Sequence, residues 1–355
     1  MRITPLPEFQ SESLLPGQDF APIERLIRDK AREHGLDLHT GHGRSIWCEV
    51  GMGEFGARKR GDGVLVFARA HRAEWLGAMQ QAISDHLAQH LPAAAAALRW
   101  PSAGDAGRLP DNFSLARVVG AEPLCPDFLR LRLAAPDLHR LAGADSMHFR
   151  LVLPRPEDAA PEWPHIGASG QIVWPRGDKA LHRPVYTVRR IDADAGWLDL
   201  DIFDHAGGRA AAWARRARPG QRLGLAGPSG SGIPQAGRLV LAGDETAYPA
   251  LARILESHAG KADGEVFLLG ARADYPLPRP KGFRLRHLPG GTATLGALLR
   301  AEPPPRDSYL WMAAEKSGIA ALRALLLQEL GHDKARSHLA AYWSAESPAD
   351  RPRNS

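Results

Sequence analysis

The sequence predicts a multidomain chain of mixed α+β and α/β class: a small α-β-β-β-α domain, an antiparallel β-barrel, and a parallel sheet covered by helices. Three observations carry that expectation. Two apolar stripes at helical spacing bracket three strand-like runs before residue 92. Six strand-type segments with one short helical run among them fill residues 113–226, the pattern of a small barrel. From Arg238 onward strand and helix patterns alternate, as in a parallel sheet. A chain of 355 residues is long enough for all three parts.

Taken in order, residues 1–20 are rich in Pro and polar side chains without periodicity and read as a flexible leader. Ile23, Leu26, Ile27 and Ala31 recur at helical spacing, and Gly35 is placed to stop that helix. Strands are expected at 45–50, 54–59 and 64–70, the last two joined as a hairpin by Gly61-Asp62-Gly63. Trp75, Met79, Ala82, Ile83 and Leu87 form the stripe of a second helix near 72–90. These elements define an accessory domain at 21–92. Pro92, an alanine run, Pro101, Gly104, Gly107 and Pro110 then mark a linker at 93–112, whose alanines can prolong the helix.

Barrel strands are expected at 113–122, 128–134, 148–153, 185–191, 197–203 and 221–226, with a short helix at 210–217. Residues 154–181 are too broken by Pro and Gly to form an element and read as a long loop over the barrel, of a length that tends to be functional. The barrel domain therefore spans 113–233. Beyond it, strands at 238–242, 265–270, 309–313 and 338–343 alternate with helices at 249–259, 295–300 and 317–330. That domain, 234–345, has a nucleotide-binding architecture whose ligand belongs at the carboxyl ends of the strands. Residues 346–355 read as a flexible tail.

With 44% apolar and 24% charged residues the composition is that of a soluble globular protein. No apolar run is long enough to cross a bilayer, and a cytoplasmic location is expected. Cys48 and Cys125 are far apart and belong to no ligand motif, which argues against cysteine-held zinc or iron–sulfur sites, so redox chemistry would need an organic cofactor. The net charge of +5 comes mostly from dispersed Arg and does not predict nucleic acid as a partner; part of it can attract an anionic ligand. His34 and His86 lack a third ligand and read as capping or packing residues.

One run gathers a cation, an aromatic ring and a hydroxyl among β-formers: Arg183-Pro184-Val185-Tyr186-Thr187-Val188-Arg189. In a strand, Arg183, Val185 and Thr187 share one face, while Tyr186 and Val188 take the other. Such a run suits a flat anionic cofactor, since guanidinium forks meet phosphate and a tyrosine ring can lie on a heterocycle. It is equally compatible with an ordinary barrel strand.

The residues that follow narrow the choice. Asp204-His205, Gly208 to Trp213, Pro219-Gly220, Gly227-Pro228 and Leu241-Ala242-Gly243-Asp244-Glu245-Thr246-Ala247 stand in the order and spacing of a known family. From about 113 to 343 the chain resembles siderophore-interacting proteins, flavin-dependent ferric-siderophore reductases of the ferredoxin reductase superfamily. The front domain resembles a small bacterial domain of unsettled function sometimes found beside such modules.

The resemblance implies that FAD is the flavin. Arg183 would hold its pyrophosphate, Tyr186 would lie against the ring system, Thr187 would bond near N5, and Val188 and His205 would line the cofactor. Gly208, Ala210 and Ala211 would open a short helix toward the phosphates. Gly243, Asp244 and Thr246 would receive NADPH or NADH, and Glu315 would stand near the nicotinamide. The implied reaction passes hydride to the flavin and single electrons to chelated Fe(III), with Thr187 and Glu315 at the reacting centre. Arg272 is placed to meet a 2′-phosphate, whereas Asp274 argues the opposite; the sequence leans to NADPH.

Arg150 and Arg209 are the candidates for attracting the anionic chelate, a ferric siderophore. Arg209 replaces a proline common in the family, and Ser344 stands where relatives often carry a basic residue after Tyr-Trp. Two alternatives stay open on the sequence: a flavin reductase serving a protein partner, and a non-enzymatic carrier of ferric chelate.

Overall fold

A computed structural model describes residues 7–345 except 35, 159, 206 and 271–273. Gly35, Arg272 and the 346–355 tail therefore lie outside the described residues, as does the start of the leader. The chain divides into two compact units, Met1–Ser114 with Asp158–Leu181, and Leu115–Glu157 with His182–Ser355.

In the first unit β1 (Phe9–Leu15), α1 (Phe20–His34), β2 (Asp37–Gly41), β3 (Ser45–Val50), β4 (Gly53–Arg60) and β5 (Gly63–Ala70) precede α2 (Ala73–His90) and α3 (Pro92–Ala97). The sheet order is β1-β5-β4-β3-β2, antiparallel throughout. The expected leader is thus corrected, because Phe9–Leu15 within it is the strand beside β5. Its inward side chains Ser11 and Ser13 are buried polar groups: Gln80 donates to Ser11 at 2.7 Å and the Arg99 N–H to Ser13 at 2.9 Å. Helix α1 buries Phe20, Ile23, Ile27 and Ala31, and Trp75, Met79 and Leu87 of α2 are buried as their spacing predicts.

The segment expected to be a linker is instead part of this core. Leu98 and Trp100 are buried in it, and the Trp100 indole donates to Ser84 at 3.0 Å. His34 is exposed, and no group of His, Cys, Asp and Glu able to hold a metal exists among the described residues.

The barrel of the second unit is built from β6 (Phe113–Cys125), β7 (Phe128–Ala134) and β8 (His148–Val152), after which the chain re-enters the first unit. There β9 (His165–Ile166) and β10 (Ile172–Val173) pair antiparallel. The 154–181 segment is therefore not simply a loop over the barrel: from Asp158 to Leu181 it packs with the front unit. Back in the second unit come β11 (Val185–Thr187), β12 (Arg190–Asp192), β13 (Trp197–Phe203), α4 (Arg209–Ala214) and β14 (Arg222–Ser229).

The sheet order is β11-β8-β14-β6-β7-β13-β12. A single strand at 185–191 was expected; it breaks because the chain changes partner. The Val188 N–H still donates to Met147 beside β8, whereas that of Arg189 donates to Asp199 on β13. The inner faces pack Leu131, Phe149, Leu151, Leu200 and Leu225 with Ala210, Ala211 and Trp213 of α4.

The last part holds β15 (Arg238–Gly243), α5 (Tyr248–Ser257), β16 (Asp263–Leu269), β17 (Phe283–Leu288), α6 (Gly291–Ala301), β18 (Tyr309–Glu315), α7 (Lys316–Arg323) and β19 (Ser337–Trp343). All five strands are parallel in the order β17-β16-β15-β18-β19. Strand β17 was not expected. The expected long helix after β18 continues past α7 as a π-helical stretch, Ala324–Glu329. In this order the chain goes outward from β15 through β17, then returns to β15's other side as β18, so the topological switch lies between β15 and β18.

Barrel and parallel sheet belong to one unit and share an ionic network centred on the buried Asp201 and Arg189. Arg130 grips Asp201 through two bonds of 2.8 Å, Tyr275 donates to Asp201 at 2.6 Å, and Arg189 donates to Tyr275 at 3.1 Å and to Glu256 at 2.7 and 2.8 Å.

Candidate functional site

The β8–β11 pairing sets the faces of the candidate flavin strand. Thr187 lies opposite His148, Tyr186 opposite Phe149 and Val185 opposite Arg150. Because strand residues alternate, His148, Arg150, Val185 and Thr187 share the outer face, and Phe149 and Tyr186 the inner one. Phe149 is in the barrel core, and Tyr186 packs half-buried against the same cluster that holds Ala210 and Ala211.

The outer face runs from a buried end to an exposed end. Thr187 and His148 are 5% and 4% exposed, whereas Val185 is 50% exposed and Arg150 lies open beside it. Arg150 reaches the Arg183 carbonyl at 3.4 Å, so both candidate cations sit at the open end of one hairpin.

His205 ends the next corner, exposed, with its ring stacked on Phe203 at 5.5 Å. A Cβ on Gly208 would lie 2.9 Å from the His205 ring, so a larger residue would displace that ring. Gly208 caps α4 without any side-chain hydrogen bond. The first N–H groups of a helix have no acceptor in their own helix, so the start of α4 at Ala210 and Ala211 turns backbone donors toward a possible anion. The Ala210 and Ala211 side chains belong to the core, and only their backbone can serve a cofactor.

Val188 lies further along the same run. It is 1% exposed in the barrel core, its N–H donates to Met147, and its carbonyl accepts from Arg253 at 3.0 Å. Trp213 packs in the barrel core, and its indole N–H is buried without a partner among the described residues.

At the carboxyl edge of the parallel sheet, the turn after β15 and the end of β18 stand on either side of the switch point. Gly243 is required there by packing, since a Cβ would lie 2.6 Å from that of Ala247. Asp244 and Thr246 bond to one another in this turn. Asp244 is buried and accepts from the Thr246 N–H at 3.1 Å, the Thr246 hydroxyl at 2.5 Å and the Trp343 indole at 2.7 Å. The pair satisfies itself and shapes the turn. Burial raises both the Asp244 and Glu245 carboxyls above the usual range.

Glu315 ends β18 and is engaged as the cap of α7. It accepts from the Ser317 hydroxyl, the Ser317 N–H at 2.6 Å and the Gly318 N–H at 3.2 Å. Those bonds, the Ser317 hydroxyl first, hold its carboxyl down at about 2.

The contacts that join these two halves of the site were not foreseen. Strand β19 reaches both: Tyr342 bonds His148 of β8 at 2.7 Å, and its neighbour Trp343 donates to Asp244. Trp343 remains 46% exposed and pairs in register with Glu315. The one sequence signal was the Tyr342-Trp343 pair ending the last strand. A second histidine, His338, lies 3.2 Å from Ser231 and stacks on Trp311 at 5.8 Å.

Burial pushes His148 down to about 4, with the nearby His338 and Arg253 adding to the effect, and His338 down to about 4 likewise. A histidine depressed from 6.5 stays neutral in the fold while the unfolded chain takes up protons. Stability should therefore be full above pH 6.5 and fall as the pH drops toward 4, with about 3 kcal/mol traceable to His148. Urea midpoints at both ends of that window check this. His148→Asn, which keeps a polar partner for Tyr342, should shrink the loss, and an equal loss in the variant would remove His148 from the account.

The residues fit a flat, anionic dinucleotide: an uncapped helix start, a guanidinium, a half-exposed tyrosine ring and a buried hydroxyl at Thr187.

Comparison with known proteins agrees with these features. Residues 117–232 match the siderophore-interacting FAD-binding domain family and residues 236–346 the siderophore-interacting protein family. The chain is similar to the NADPH-dependent ferric-chelate reductase of Escherichia coli K12, 34% identical over 250 residues, covering 66% of this chain and 94% of that protein. It is 28% identical over 247 residues to the ferric vibriobactin reductase ViuB of Vibrio cholerae, covering 62% of this chain and 89% of the other. Among crystal structures it resembles the siderophore-interacting protein SipS from Aeromonas hydrophila, with 26% identity, a TM-score of 0.55, and 66% and 92% of the two chains covered. A siderophore utilization protein from T. fusca gives 28% identity and a TM-score of 0.55 over 68% and 96%.

Proposed function

The chain belongs to the siderophore-interacting protein family, and on that premise we propose that it is an FAD-dependent ferric-siderophore reductase driven by NADPH or NADH. The observation that carries the reading is the His148–Tyr342 bond of 2.7 Å, which ties the hairpin bearing Arg150, Arg183, Tyr186 and Thr187 to the carboxyl edge of the parallel sheet. A flavin domain and a nicotinamide domain serve one reaction only if their sites are held together in this way.

Bound FAD supplies the conversion of a two-electron hydride into single-electron deliveries. Arg183 and the start of α4 hold the pyrophosphate charge, with Gly208 letting backbone approach it. Tyr186 supports the ring system, and the Thr187 hydroxyl offers a hydrogen bond in a buried place. His205 flanks the helix start.

At the sheet edge Gly243 admits the close turn, while Asp244 and Thr246 act by shaping it rather than by touching phosphate. Glu315 and Trp343 flank the place where a nicotinamide would meet the flavin. Arg150 and Arg209 draw in the anionic chelate, and reduction of the iron loosens its hold on hard oxygen ligands. NADPH is the proposed donor, supported by the likeness to the NADPH-dependent reductase of Escherichia coli. The cytoplasm is the proposed location, supported by the two free cysteines; no helix among the described residues is long and apolar enough to cross a membrane.

The purified protein should be yellow or take up added FAD. Anaerobic NADPH should bleach it, and a ferric siderophore with a ferrous trap should restore the colour. A protein that rejects excess FAD yet binds the ferric chelate would leave the carrier reading instead.

A further inference from the structure

Strands β8 and β11 form an antiparallel hairpin with an unusually long connection. Its base is closed where Leu153 and His182 exchange backbone bonds of 2.8 and 2.9 Å. From Asp158 to Leu181 that connection belongs to the first unit, and it has little structure of its own beyond the two-residue strands β9 and β10.

What orders it is the front unit. The Trp100 N–H donates to Ser169 at 2.9 Å, the Gly107 N–H to Ile166 at 2.7 Å, and the Ile166 N–H to Arg108 at 2.9 Å. Ser102 donates to the Gly170 carbonyl at 2.8 Å, and the Ile172 N–H donates to the Gln81 side chain at 3.0 Å. Phe113 packs against Trp163 and Trp174 with ring centroids 6.0 and 6.2 Å away. Gly170 has φ +77°, and a Cβ there would lie 2.7 Å from the Ala103 nitrogen and 2.8 Å from the Trp100 oxygen.

The residues flanking this connection are Arg150 on one side and Arg183, Tyr186 and Thr187 on the other. A free loop of such length would leave a three-residue strand to hold its own register, and short edge pairings of that kind open readily. We propose that the front unit is a positioning clamp: by fixing the hairpin's connection it holds the residues of β8 and β11 in the register that cofactor and substrate require. What the hairpin binds rests on the reading above; the clamp itself does not.

The test uses the full-length chain without added FAD. In the double variant Gln81→Ala with Ser102→Ala, two of the clamp's bonds are lost while the front unit's apolar core is intact. Amide exchange across 183–187 should then quicken about tenfold, the effect of losing two hydrogen bonds. Exchange in β5 should stay unchanged. Gly170→Val should act in the same direction and more strongly. The dissociation constant for FAD should rise by a similar factor in both. If exchange quickens at 165–173 but not at 183–187, the front unit holds only its own loop and the proposal fails. A chain that binds no FAD at all would overturn the reductase reading and leave the exchange result standing.

Discussion

Asp201→Ala should lower the stability of the folded chain by about 3–5 kcal/mol, the cost of removing one partner from a buried ion pair. Asp201 is 2% exposed and binds Arg130 twice and Tyr275 once. Without it, the Arg130 guanidinium, whose side chain is 13% exposed, keeps its charge but loses both bonds to its carboxylate partner. Tyr275 loses the acceptor of its hydroxyl, which is left holding only the bond it accepts from Arg189.

Asp199→Ala is the comparison. Asp199 is 0% exposed and bonded as closely, at 2.7 and 2.8 Å, but its partner Arg132 is 44% exposed and stacks on Trp197 at 4.2 Å. An arginine that can return to water should limit the loss to about 1 kcal/mol. Urea unfolding of the two variants measures the difference, and equal losses would show that the Asp201 network does not bind the barrel to the sheet as described.

Periodicity made the layers legible, but choice of partner was hidden. Strand–helix alternation after Arg238 and the face parity of Val185, Tyr186 and Thr187 follow from local pattern, and the structure has both. Strand β1 escaped notice because its inward residues are Ser11 and Ser13, whose acceptable burial depends on Gln80 and Arg99, far along the chain. Strand β17 alternates Phe283, Leu285 and His287 with arginines after a proline-rich run and gave too weak a signal.

The 158–181 segment has no periodicity that names the unit it joins. At the site, Arg183, Tyr186 and Thr187 stand out because one short run carries charge, ring and hydroxyl. The bond from His148 to Tyr342 spans 194 positions, and no local reading of either residue points to the other.

Arg183→Ala should weaken FAD binding roughly 10–100-fold, the equivalent of the 1.5–3 kcal/mol of a charge-assisted hydrogen bond. Arg183 is exposed at the open end of the hairpin, so its removal should leave the fold intact, and Arg183→Lys should restore only part of the affinity because an ammonium cannot form the planar fork. Tyr186 tests the other half of the grip. Its ring packs on the barrel core, so Tyr186→Ala should cost both stability and about tenfold in FAD affinity. Tyr186→Phe keeps the ring and should retain both. Titration of the flavin-free protein with FAD, followed by quenching of flavin fluorescence, measures all four variants. Wild-type affinity in Arg183→Ala together with Tyr186→Ala would mean that this run does not hold the cofactor, since no other side chain from Arg183 to Thr187 offers a guanidinium or an aromatic ring.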